Sequence, residues 1–81
     1  MYFELGTKGL NGRNESWWSL SYVEAEDQFY WRHRWSNMSG LTVHDGEKRL
    51  PILEAKGESY YSDAVKVIRE KFPTWKNIDQ L

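Results

Sequence analysis

A chain of 81 residues with no cysteine cannot build a disulfide scaffold or a thiolate metal site, and its length suits a single domain over residues 1–81. Eleven Lys and Arg against twelve Asp and Glu give a net charge of −1, which argues against a dedicated nucleic-acid binder, since such proteins usually carry a basic excess, but leaves room for a local basic patch. No apolar run reaches the roughly 18 residues of a membrane span, and the first five residues lack the basic and apolar regions of a signal peptide, so the cytoplasm is the expected location.

Five Trp, five Tyr and three Phe are many for this length, and they are expected to supply most of the core. The first strand is short, with Phe3 and Leu5 alternating against Tyr2 and Glu4. Glycines, asparagines and basic residues from Gly6 to Asn14 read as a polar loop. Gly6, Gly9 and Gly12 recur at every third position but do not make a phosphate-binding fingerprint, and Lys8 is not in a Walker sequence.

Residues 17–23 and 29–35 both alternate with period two and predict an aromatic hairpin. With Glu26 and Asp27 at the turn centre, Tyr22 faces Trp31, Leu20 faces His33 and Trp18 faces Trp35. That side, with Phe29, builds the core. The other side pairs Val23 with Tyr30, Ser21 with Arg32 and Ser19 with Arg34, with Trp17 near its end.

Asp45-Gly46 suits the positive φ angles of a two-residue turn and predicts a second hairpin from strands 41–44 and 47–53. Leu41, Val43, Leu50 and Ile52 then share a face, and Pro51 marks a sheet edge. After Gly57 the period becomes helical. Tyr61, Ala64, Val65, Ile68 and Phe72 fall in one stripe about 100° wide, with Ser59 as N-cap and Pro73 as stop. Trp75 is expected to fold back onto the sheet. The fold class is α+β: an antiparallel sheet of four to five strands, in the order βββββα, with the C-terminal helix packed on one face.

The chemistry is sparse. Only two histidines, His33 and His44, accompany the carboxylates, so no metal or other cofactor is expected. Glu24, Glu26 and Asp27 crowd one turn without the layout of a calcium loop. A metal-independent ribonuclease would use Tyr30, Arg32, His33 and Arg34, but alternation sends His33 to the opposite face from the other three, so no catalytic residue is assigned.

The candidate contact surface is the second face of the aromatic hairpin: Trp17, Ser19, Ser21, Tyr30, Arg32 and Arg34. Trp, Tyr and Arg dominate binding hot spots. The plainer alternative pairs the arginines with Glu4 or Glu24. The functional expectation is a non-enzymatic protein-binding module of the kind with which phages and mobile elements occlude host defence proteins, anti-CRISPR proteins among them. Single-stranded nucleic acid, stacked and neutralised on the same face, is the alternative partner. The assembly is expected to be a monomer or a homodimer, because the first strand leaves an unguarded sheet edge.

Overall fold

The computed structural model describes residues 1–9 and 14–81. Four antiparallel strands, β1 (Tyr2–Lys8), β2 (Asn14–Val23), β3 (Gln28–Ser39) and β4 (Thr42–Pro51), form one sheet in sequence order. One helix, α1 (Tyr61–Lys71), packs on its inner face, so the class is α+β with an antiparallel sheet. No helix among the described residues is long and apolar enough to cross a membrane.

The aromatic hairpin forms, in a register two residues from the expected one. Tyr22 faces Phe29, Leu20 faces Trp31 and Trp18 faces His33. The connection is wider than a two-residue turn: Glu24–Glu26 make a 3-10 turn, and Asp27 closes it at φ 49°. A shift of two preserves the side on which each residue lies, because strand side chains alternate with period two. Each face therefore keeps its composition although every pair changes partner.

Asp45-Gly46 is not a turn. β4 runs straight through it, and the chain reverses instead at Gly40-Leu41, between the paired Ser39 and Thr42. Gly40 has φ 63° and is the only one of the two central residues with positive φ, which suits a turn with glycine first. Gly46 serves a different purpose within the strand. It sits opposite Trp35, whose indole fills the space where a Cβ would lie 2.0 Å from Cζ2. The expected fourth and fifth strands are thus one, and the sheet has four.

Two consequences correct the expected core. Leu41 and Val43 do not join Leu50 and Ile52: Leu41 sits in the turn, Val43 pairs with Met38 on the outer face, and both are exposed. Trp35 lies half-buried over Gly46, outside the central cluster. That cluster is Trp18, Leu20, Phe29 and Trp31 from the sheet, Ile52 and Ala55 after it, Ala64 and Ile68 from α1, and Trp75.

β1 is longer than the alternation suggested and reaches Lys8, so Gly6 is in the strand and not in the loop. Residues 10–13 of the expected loop, Gly12 among them, lie outside the described residues. Between Glu4 and Gly6 a β-bulge inserts Leu5, and both Phe3 and Leu5 pack on the core. Gly6 leaves room for the Tyr60 ring, which a Cβ would meet at 2.5 Å.

α1 begins one residue later than expected and is not capped by Ser59. Tyr60 holds the N-cap position in the left-handed region at φ 64° with no side-chain cap bond. The Ser59 carbonyl instead accepts a hydrogen bond from Trp31 Nε1 at 2.8 Å. Ala64 and Ile68 are fully buried, flanked by Tyr61, Val67 and Phe72. Val67, not Val65, completes the buried stripe. Asp63 in the first turn and Arg69 and Lys71 in the last suit the helix dipole. The chain then returns to the sheet: Trp75 stacks edge-on against Phe29 at 5.0 Å and donates from Nε1 to the Asp27 carbonyl at 3.0 Å.

Candidate functional site

With α1 and Trp75 on the inner face, the described residues leave the outer face of the sheet open. Its rows follow from the pairing. Tyr2, Ser21, Tyr30 and Pro51 form one row; Glu4, Ser19, Arg32 and Arg49 the next; Thr7, Trp17, Arg34 and Glu47 a third. All six residues expected on this face lie on it, because period-two alternation survives a register error of two.

Their surroundings differ. Arg34 is exposed, with its guanidinium carbon 5.7 Å from the centre of the Trp17 ring, a cation–π approach. Arg32 is half-buried and forms an ion pair with Glu47, Nε to Oε1 2.5 Å, rather than with Glu4 or Glu24. That contact has the distance of an ion pair without the alignment of a hydrogen bond, so the buried Nε has no hydrogen-bond acceptor. Ser19 is 4 % exposed and forms the floor of this face. Ser21 is half-buried between Tyr2 and Tyr30.

Tyr30 donates its hydroxyl proton to Glu26, and this hydrogen bond to a carboxylate holds the phenol above its ordinary pKa. Its ring lies 3.7 Å from the guanidinium carbon of Arg49. Tyr22 is raised in the same way by Asp27 on the inner face.

Tyr2, Trp17, Ser19, Arg32 and Arg34 together line a shallow depression of about 150 Å3. Tyr2, Glu47 and Arg49, which contribute to this face, are among its residues outside the expected set. Arg49 and Glu47 were hidden by the false turn at Asp45-Gly46. The signal that reveals them is Ser39-Gly40, a turn dipeptide at the end of the alternation that continues past Trp35.

His33 lies on the inner face, apart from Tyr30, Arg32 and Arg34, so those four do not converge on one substrate atom. It is stacked on Trp18, with centroids 4.5 Å apart and planes 5° from parallel, and packs beside Trp35 at 5.1 Å. Its Nε2 is buried without a hydrogen-bond partner. Burial pushes its pKa below the ordinary value; nearby Glu58 opposes the shift and Lys48 adds to it. His44 is exposed on β4. Among the described residues no three His, Asp or Glu side chains converge to hold a metal ion.

The depressed His33 pKa has a definite sign. The unfolded chain takes up a proton near the ordinary value of about 6.5, and the folded chain only at lower pH, so stability is full above that value and lost as pH falls through it. Between pH 7.5 and 5.0 the melting temperature of the wild type should fall more than that of His33→Phe, which keeps a ring against Trp18 and cannot titrate. Equal falls in paired calorimetric scans would assign the acid sensitivity elsewhere.

No protein-family model matches the chain, no curated protein matches its sequence, and no solved structure matches its fold. The site is therefore read from its own chemistry.

Proposed function

We propose that the chain is a non-enzymatic protein-binding module whose outer sheet face covers part of a partner's surface, in the manner of a phage or mobile-element inhibitor that blocks a host defence protein. The observation that carries this reading is the concentration of Trp17, Tyr30, Arg32, Arg34 and Arg49 on a face that the described residues leave open. Aromatic and arginine side chains bury much area for little rotamer entropy, and they are the residues most enriched at interface hot spots. The platform is also the right size. Strands of seven, ten, twelve and ten residues at about 3.4 Å per residue, spaced about 4.8 Å apart, present roughly 600 Å2 in projection, near the about 800 Å2 each partner contributes to a standard interface.

Rigidity supports the same reading. The strands under this face are central to the sheet, and Trp18, Leu20, Phe29 and Trp31 lock them from below. A surface held in place loses little entropy on binding, which favours occlusion by a preformed face. The test is capture from a bacterial host lysate on immobilised wild type and on Arg32→Glu/Arg34→Glu. A partner retained by the wild type and lost by the double variant, at unchanged melting temperature, is the expected result. If every protein retained by the wild type is equally retained by the variant, the outer face is not the contact surface.

A further inference from the structure

The depression on the outer face has an unusual lining: every polar side chain in it can donate a hydrogen bond, and no carboxylate lines it. Arg34 has no ion-pair partner among the described residues, and its guanidinium approaches the Trp17 ring. The Ser19 hydroxyl at the floor and the hydroxyl of Tyr2, which is 60 % exposed, form no hydrogen bond among the described residues. Arg32 closes the wall, with Glu47 held against its Nε. Unspent donors around about 150 Å3 describe a receptor for an oxyanion, and a planar guanidinium fixed over an indole suits a planar, two-oxygen acceptor.

We infer that this depression takes one acidic side chain, aspartate or glutamate, presented singly by a protein partner. At about 150 Å3 the depression has room for a carboxylate and its methylenes. The charges around it select between carriers of an anion. Glu4 lies in the same row as Arg32, and Glu15 and Asp45 occupy the outer-face row beyond Trp17 and Arg34. A nucleic-acid strand, with a phosphate at every residue, would run over these carboxylates. A single carboxylate need reach only the donors of Arg34, Ser19 and Tyr2.

This assignment rests on the protein-binding reading of the same face, and its test separates the two. Wild-type protein labelled with 15N is titrated with acetyl-Gly-Gly-Glu-Gly-Gly-amide, with the same peptide bearing Gln, and with a ten-residue oligothymidylate. The glutamate peptide should shift the Trp17 indole and Arg34 Nε signals, binding about tenfold or more tightly than the glutamine peptide, as befits a charge-assisted pair. Arg34→Gln, an exposed site whose replacement leaves the core intact, should abolish the response. Equal response to Gln and Glu, response to the oligonucleotide in preference to the glutamate peptide, or no response at millimolar peptide each overturns the assignment. So does a captured partner that is lost with Arg32→Glu/Arg34→Glu but binds Arg34→Gln undiminished, an outcome that leaves the protein-binding reading standing.

Discussion

Replacing Trp31 by alanine should cost about 3–5 kcal/mol, a large part of the roughly 5–15 kcal/mol that holds a domain folded. Trp31 is 1 % exposed and is the largest fully buried side chain. It lies between Leu20 on β2 and Leu50 on β4, so its removal opens a cavity at the centre of the inner face. The indole also carries the hydrogen bond from Nε1 to the Ser59 carbonyl, 2.8 Å, which ties the segment before α1 to the sheet. Trp31→Phe separates the two contributions. It keeps most of the packing, orphans that carbonyl, and should cost about 1–3 kcal/mol. Urea unfolding of the three proteins measures both steps; a loss below about 1 kcal/mol for the alanine variant would place the centre of the core elsewhere.

Trp75→Ala should be nearly as damaging, at about 3–4 kcal/mol, although the residue lies beyond the helix, near the end of the chain. Trp75 is 6 % exposed, packs edge-on against Phe29 and donates from Nε1 to the Asp27 carbonyl. Asp27 is the left-handed residue that closes the β2–β3 connection. The tail therefore fastens the turn whose width sets the hairpin register. Beyond the lower midpoint in urea, amide exchange at Asp27 and Gln28 should accelerate more than exchange in α1. Uniform acceleration would mean that Trp75 only fills volume.

Much of this architecture was legible in the amino-acid sequence, and the failures have physical causes. Which residues share a face was readable because alternation is a local property: Trp18, Leu20, Phe29 and Trp31 fall inward and Trp17, Tyr30, Arg32 and Arg34 outward whatever the partner register. Register was not readable, because it depends on the turn. A 3-10 turn with aspartate in the left-handed region replaced the two-residue turn inferred at Glu26-Asp27.

Asp45-Gly46 misled for a related reason. Glycine is needed both where φ is positive and where another group approaches the backbone, and at Gly46 the second need, set by the Trp35 indole, decided the matter. The site was half legible. The β2 and β3 residues were found, but Arg49 and Glu47 were not, since their place beside Arg32 depends on β4 running unbroken past Gly46. The depression itself was invisible to sequence, because one wall is Tyr2 of β1, and alternation does not say which residues of β2 that strand pairs with.

The β3–β4 ladder reaches beyond the helix that supports its base. The molecule measures 48 × 22 × 21 Å, residues 37–45 are all exposed, and Met38, Leu41 and Val43 stand 45 %, 104 % and 52 % exposed. Among the described residues no layer of core lies beneath it, so this distal ladder should open at the free energy of its own pairing, well below that of the whole fold. Two tiers of cooperativity are therefore expected: a platform that melts as one unit, and a finger that frays and rezips while the platform stays intact. On the protein-binding proposal, the platform would offer a partner a fixed shape and the finger alongside an adaptable one.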